Sequence, residues 1–220
     1  MTAWLTDQHS HSRYGLKRQS SARITERGPE SCPTRKEQSA PMRVDFDRAI
    51  RVIQAAMVFD WTWTADDLHA FTSRVGWQLE DLDKRPPTIN TDLDINRTDV
   101  MVFLDNTVLP GRPRPIKQIW FYYADVVDDP AVKPLLLNAF DDLVQRAFDL
   151  VGQRPTEWWS VPGFGVRWDL PNLVLTLTVG DGSGNVALVS PAYQAWRDEI
   201  DAQLDPEETP DVDHYWPWNR

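Results

Sequence analysis

The sequence predicts an α+β fold, with helices packed on an antiparallel β-sheet, and three features lead to this prediction. Apolar residues recur at helical spacing in four segments. Between these segments lie short runs rich in Val, Ile, Thr and aromatic residues, which are typical of strands. Tight turns such as 180–184, Gly-Asp-Gly-Ser-Gly, join most of these runs, so neighbouring strands should pair antiparallel. The predicted order is roughly α-α-β-β-(β)-α-β-β-β-α, with no internal repeat.

The first helix is predicted to start after Val44, with Asp45 as its cap, and to end by Phe59. Its apolar residues are spaced by four, three and four positions, which places them on one side: Phe46, Ile50, Ile53 and Met57. Three polar residues fall on the other side of the same helix: Arg48, Arg51 and Gln54.

The second helix is predicted to begin with Thr64 as its cap and with Asp66 and Asp67 in its first turn, where the helix dipole favours acidic groups. Gly76 is placed to end this helix in the left-handed conformation, and Trp77 to turn back towards the core. Its buried side is predicted to hold Leu68, Phe71 and Val75.

The remaining elements follow from the same patterns. Strands are predicted at 78–82, 100–104 and 116–127, with a polar loop after the prolines at 86 and 87. A third helix runs from about Pro134 to Gly152. Strand-like runs follow around Trp158, at 166–168 and at 173–179, and 186–189 pairs back as a hairpin. Ser190 and Pro191 cap a last helix, whose apolar stripe is Tyr193, Trp196, Ile200 and Leu204.

Charge and composition divide the chain into a basic arm at 1–43, one α+β domain at 44–204 and an acidic tail containing Trp and Pro at 205–220. The arm has eight basic and four acidic residues, so the rest of the chain carries a formal charge of −14. Its apolar residues are few and without period, which predicts disorder. Two interpretations of the arm stay open: it contacts a partner, or it arises from an upstream start codon, with Met42 as an internal start.

The overall charge of −10 and the pI near 4.8 argue against nucleic acid or an anionic membrane as a partner. A basic partner protein fits this charge, although solubility alone also accounts for it. The single cysteine, Cys32, excludes a disulfide framework and fits a reducing cytoplasm, where we expect the protein to act. We expect neither a membrane span nor a secretory signal peptide.

Catalytic, metal-binding and cofactor-binding patterns are weak. His69 lies beside the apolar side of the second helix, which is typical of a solvated histidine, and the sequence has no Gly-x-Ser-x-Gly nucleophile motif. The segment 92–96 resembles a calcium loop, but Arg97 and Phe103 stand where that loop needs Gly and Glu. Helix capping accounts for Asp60, Asp66 and Asp67 without a cation. We therefore predict no catalytic residue, no metal and no cofactor.

Tryptophan is the unusual feature, with eleven residues in 220. Tryptophan favours cores with polar edges, ligand clefts and interfaces. Trp61 and Trp63 are two apart on a link expected to be extended, so they should point to opposite sides. A large aromatic core and a groove for a peptide or a sugar both remain open. The candidate binding residues are Trp61, Trp63, Asp66, Asp67, Trp158 and Trp159.

The stretch Asp60-Trp61-Thr62-Trp63, with Asp66-Asp67 and Gly76-Trp77, resembles a family of small actinobacterial proteins of unknown function. Members of that family open with a helix ending in Leu-Asp-Trp-Ser-Trp or similar, and a second helix ending in Gly-Trp and a sheet follow. The resemblance covers about 46–204, with Phe59 in place of the usual Leu. It implies no catalytic residues, because the family has none established. Small acidic α+β proteins also resemble immunity proteins of toxin systems and secretion chaperones.

Three functional hypotheses follow. The first is a non-enzymatic protein-binding module, immunity-like or chaperone-like, that uses acidic and aromatic side chains. The second is a binder of a small molecule or carbohydrate in a Trp-lined cleft. The third and least favoured is a hydrolase that uses His69 with Asp66. The sequence does not indicate an oligomeric state.

Overall fold

An eight-stranded antiparallel sheet forms the centre of this computed structural model, which describes residues 41–81, 87–106, 110–161 and 163–204. The strands are β1 (Gln78–Asp81), β2 (Thr88–Asn90), β3 (Asp99–Leu104), β4 (Ile116–Tyr122), β5 (Glu157–Trp159), β6 (Phe164–Asp169), β7 (Val174–Val179) and β8 (Gly184–Val189). They lie in the order β1-β2-β3-β4-β8-β7-β6-β5. The predicted α+β fold class is confirmed.

One strand differs from the sequence prediction. The region predicted as a polar loop after Pro87 contains β2, whose Ile89 is buried and pairs with Leu79 on one side and Val100 on the other. The four strand-like runs predicted between the third and fourth helices are all strands, β5 to β8, although the predicted order counted only three. A three-residue strand among polar neighbours is too short to produce a period-two pattern, which explains why β2 was not predicted.

Within the described ranges, four helices accompany the sheet: α1 (Phe46–Met57), α2 (Asp67–Val75), α3 (Lys133–Val151) and α4 (Pro191–Leu204). A short 3₁₀ turn at Pro130–Val132 leads into α3. Helix α1 contacts both α2 and α3, and α3 lies against β7. The sheet side chains of the main core are fully buried and include Ile119, Phe121, Leu175, Leu177 and Leu188. The apolar core therefore fills one side of the sheet, under α1 to α3.

Several predicted helix boundaries are confirmed. The Asp45 side chain accepts a hydrogen bond from the Arg48 N–H at 3.2 Å and caps α1. Gly76 and Gly152 end α2 and α3 with φ angles of 77° and 74°, in the left-handed region that glycine adopts without steric cost. The buried side of α1 is centred on smaller residues than predicted: Ala49, Val52, Ile53 and Ala56. None of the helices in the described ranges is long and apolar enough to cross a membrane.

The predicted basic arm lies outside the described residues except for its last three positions, and the predicted tail at 205–220 lies outside them entirely.

Candidate functional site

The link between α1 and α2 holds two of the candidate tryptophans in one stacked pair. The rings of Trp61 and Trp63 lie 4.6 Å apart at 18°. The indole N–H of Trp61 donates to the Ala56 carbonyl at 2.9 Å, and that of Trp63 donates to the Asn172 carbonyl at 2.9 Å. Phe71 packs against Trp61 at 4.7 Å. Both indole donors are thus used inside the fold, and the pair extends the aromatic core.

The prediction that Trp61 and Trp63 point to opposite sides is wrong. Trp63 has a φ of 54°, in the left-handed region that a bulky side chain rarely adopts. This conformation bends the link, so the two-residue alternation of an extended chain does not apply. The carbonyl of Trp63 accepts a hydrogen bond from the Ile116 N–H at 2.8 Å, which fixes the bend against the start of β4. The strained backbone therefore serves to position the stack.

Asp66 and Asp67 have different roles, although both were candidate binding residues. Asp67 is 7% exposed and accepts hydrogen bonds from the Thr62 N–H, the Thr62 hydroxyl and the Thr64 N–H, at 3.0, 2.8 and 3.3 Å. Asp66 occupies the cap position of α2, is exposed and makes no capping bond through its side chain. The predicted cap, Thr64, contacts the Thr62 hydroxyl instead. The prediction that Thr64 caps the helix is wrong, because Asp67 accepts hydrogen bonds from the preceding link and holds that link back against the helix.

Trp158 and Trp159 lie on opposite faces of the sheet, since neighbouring residues of a strand alternate. Trp158 faces the core and packs against Phe140 of α3 at 5.9 Å. Trp159 lies on the other face, where its ring covers Gly165 so closely that any Cβ there would overlap the indole. Of the four candidate tryptophans, Trp159 alone lies on this second face.

The second face of the sheet forms a groove of about 290 Å³ beside α4. Its floor follows from the register, because cross-strand partners project from the same face. Trp120, Ala187, Thr176 and Arg167 form one row across β4, β8, β7 and β6. A second row on the same face contains Tyr122, Asn185, Thr178, Gly165 and Trp159. The wall is formed by α4 residues Gln194, Arg197, Asp198 and Asp201.

An ion cluster centred on Arg167 fixes α4 to the sheet. The Arg167 side chain is 13% exposed and forms paired contacts with Asp198 at 2.8 and 2.7 Å and with Asp169 at 2.7 and 3.0 Å. Glu157 contacts the same guanidinium at 3.1 Å. Burial alone lowers the pKa of Arg167, but hydrogen bonds to Asp198 and Asp169 outweigh it and raise that pKa. Burial likewise raises the pKa of Asp198, but hydrogen bonds from Arg167 and Gln194 lower it overall.

Helix α4 therefore turns Gln194 and Asp198 towards the sheet and leaves Trp196 largely exposed. Gln194 is buried, and it donates to Asp198 at 2.7 Å. Tyr193 and Trp196 stack at 5.6 Å and 21° beside Ile116, where Tyr193 is half-buried and Trp196 is 53% exposed. Lys117 lies 5.6 Å from the Tyr193 ring. We call Tyr193 and Trp196 the α4 platform.

A family profile matches residues 47–190, which run from the start of α1 through β8. The chain belongs to the family of unknown function DUF6301. The DUF6301 match includes the tryptophan link and the sheet, and it ends just before α4. Among curated proteins and among solved structures, no significant match to the chain was found.

The DUF6301 region also contains groups considered for chemistry. His69 is exposed on α2. In the described ranges, no three His, Cys, Asp or Glu side chains are grouped so that they could hold a metal ion. The segment 92–96 is a loop that is held by Asn96. The Asn96 side chain accepts a hydrogen bond from the Val126 N–H and donates one to the Val126 carbonyl, both at 2.8 Å. The backbone N–H of Asn96 donates to the Asp125 carboxylate at 2.6 Å. This loop serves as a support for the chain at 124–126.

Sequence reasoning missed most of the groove and the importance of α4. Threonines at positions 176 and 178 alternate with buried Leu and Val, a signal for a second, more polar sheet face. Arg167 stands between the buried residues Val166 and Trp168, which also places it on that face. The carboxylates that surround Arg167 come from three separate elements, so no local pattern could predict that cluster.

Proposed function

We propose that this DUF6301 member is a non-enzymatic protein-binding module that holds a basic partner protein against α4 and the adjacent sheet face. The observation that carries the proposal is the orientation of α4. Trp196 is 53% exposed, while Gln194 and Asp198 of the same helix face the sheet. Helices of globular proteins ordinarily bury the apolar side, so an exposed Trp beside a Tyr marks a contact surface.

The energy available at this surface is substantial. A Trp side chain buries about 150–250 Å² when fully covered. With Trp196 53% exposed, covering the rest removes about 100 Å² of apolar surface from water, worth about 2–3 kcal/mol. This is the magnitude expected of a hot-spot residue, and Trp, Tyr and Arg are the residue types enriched there. Tyr193 stacks behind Trp196 and limits the rotamers that binding would have to fix.

Charge favours a basic partner. Two acidic residues of α4, Glu199 and Asp201, are exposed, against one exposed basic residue, Arg197. The chain as a whole carries −10. Complementary charge raises the association rate and makes binding sensitive to salt. Small acidic α+β proteins resemble immunity proteins and secretion chaperones of bacterial toxin systems, and we propose that functional class for this protein.

We further infer that the Asp-Trp-x-Trp and Gly-Trp pattern is shared by actinobacterial members of the family and that the protein works in the cytoplasm. The structural role of Trp61 and Trp63 supports the first point, because a stacked pair with both indole donors engaged constrains the sequence. The second point rests on the single cysteine.

The test is binding to purified products of the neighbouring genes, measured by titration calorimetry with the full chain. We expect one product to bind, more weakly as salt rises, and Trp196→Ala to weaken binding by at least about tenfold. Leu135→Ala is the matched control, because Leu135 is also 53% exposed but lies on α3. An equal loss in both variants, or no specific binding by any product, contradicts the proposal.

A second candidate is a carbohydrate or small-molecule site in the sheet groove. It is favoured by the flat Trp159 ring over Gly165 and by the buried Asn185 Oδ1, which accepts no hydrogen bond from any residue that the structure describes. Thr176 and Thr178 add hydroxyls to the same floor. Fluorescence titration with oligosaccharides distinguishes this candidate: a saturable change that is lost in Trp159→Phe and kept in Trp196→Ala supports it. A flat titration rules it out for the sugars used.

A further inference from the structure

A second cleft lies between α1 and α2, away from α4 and the sheet groove. It encloses about 650 Å³. Its lining combines three arginines, Arg48, Arg51 and Arg74, with an apolar floor that includes Val52, Val58 and Val75. The arginines that the sequence placed on the outer side of α1 thus meet a third arginine from the last turn of α2.

The three arginines differ in their bonding. Arg48 contacts the carboxylates of Asp45 and Asp92, so its charge is balanced and its side chain is held. Arg51 and Arg74 are exposed, and neither forms an ion pair or hydrogen bond through its side chain with any described residue. Two guanidinium groups from two helices therefore have all their donors available at one cleft. This is notable in a chain with a formal charge of −10.

The floor of the cleft is apolar. Val52 is buried, Ala55 and Val75 are partly exposed, and Val58 at the rim is 64% exposed. Exposed valine next to unpaired guanidinium groups offers both kinds of contact that an amphiphilic anion makes. The volume lies within the range of small-molecule sites, about 300–1,000 Å³.

We propose that this cleft binds a small organic anion, with a phosphate or carboxylate group held by Arg51 and Arg74 and an apolar body on Val52, Val58 and Val75. The planar guanidinium fork matches both oxyanions in bidentate geometry. The Asp92 carboxylate is occupied by Arg48, which limits its repulsion of the incoming anion. The arginines of two helices then bracket the anionic group, and the ligand would bridge α1 and α2.

The test is titration calorimetry of the full chain with phenyl phosphate, octanoate and the uncharged analogue phenol. We expect one saturable site for at least one of the two anions and none for phenol. Saturable binding of phenyl phosphate alone assigns a phosphate ligand, and of octanoate alone a carboxylate ligand. Failure of both anions to bind overturns the proposal, as does equal binding of phenol.

A pair of double variants separates the cleft from general charge. Arg51→Gln with Arg74→Gln should weaken binding by about tenfold or more, since a charge-assisted hydrogen bond is lost at each position. Arg112→Gln with Arg154→Gln is the matched control, because both residues are exposed and lie outside the cleft. An equal loss in both double variants contradicts the proposal. Helical content measured by circular dichroism checks that each variant is folded.

Discussion

Replacing Asp67 with alanine should destabilise the protein far more than replacing its neighbour Asp66. Asp67 is buried and accepts three hydrogen bonds from the link that carries the tryptophan stack. Asp66 is exposed and makes no capping bond. The two substitutions remove the same charge from adjacent positions, so a difference between them isolates the bonds made by Asp67.

The magnitude follows from the groups left without a partner. Asp67→Ala frees the N–H groups of Thr62 and Thr64, each worth about 1–3 kcal/mol if it stays buried and unpaired. Thr62 is exposed, so water can satisfy part of this loss. We expect a loss of about 2–3 kcal/mol, which lowers Tm by about 5–10 °C in a domain of this size. Asp66→Ala removes only a dipole contact and should cost less than about 1 kcal/mol.

Thermal and urea unfolding of the full chain, followed by near-UV circular dichroism, measures both effects. The near-UV signal also reports the Trp61–Trp63 stack, which should weaken in Asp67→Ala before global unfolding. Equal Tm shifts for the two variants would refute the reasoning, because they would mean that the charge and not the hydrogen bonds matters.

Two further predictions concern the second sheet face. Gly165→Ala places a methyl group against the Trp159 ring and should displace that ring, which costs about 1–3 kcal/mol of stability. The change should be seen as a lower Tm and an altered Trp fluorescence spectrum. An unchanged spectrum would contradict the packing of Trp159 on Gly165. The pKa of Asp198 is lowered in the folded protein. The ionised carboxylate therefore stabilises the fold at any pH above its ordinary pKa, and this stabilisation is lost as the pH falls through the lower pKa of the folded state. The protection factors for hydrogen exchange in α4 should therefore fall only when the pH drops below about 4, and Asp198→Asn should show low protection already at pH 7. An acid response identical in Asp198→Asn would exclude this carboxylate as its source.

The parts of the fold predicted correctly are those that local chemistry determines. The Asp45 cap, the left-handed glycine at 76 and the end of the third helix at Gly152 depend on residues near each other in the chain. Hairpins such as β7–β8 depend on short turns. Each of these features is settled within about ten residues, which is the range of periodicity and turn rules.

The parts predicted incorrectly depend on distant contacts. Trp63 takes a positive φ because β4 and the loop at Asn172 hold it there, and both lie far along the chain. Helix α4 has a regular apolar stripe, but periodicity does not say which side meets the sheet. Arg167 determines which side meets the sheet, because it forms an ion pair with Asp198.

The opposite placement of Trp158 and Trp159 was predictable from strand alternation alone.

The strand order shows that Trp63 connects the two halves of the sheet. Strands β1 to β4 and strands β5 to β8 are two meanders of sequential neighbours, and the β4–β8 ladder is the seam between them. Trp63 bonds through its carbonyl to the first meander, at Ile116, and through its indole to the second, at Asn172. Helix α1, which precedes the first meander, packs on α3, which precedes the second. Each half thus covers apolar surface of the other, so the link and the seam should form and break together as one cooperative unit.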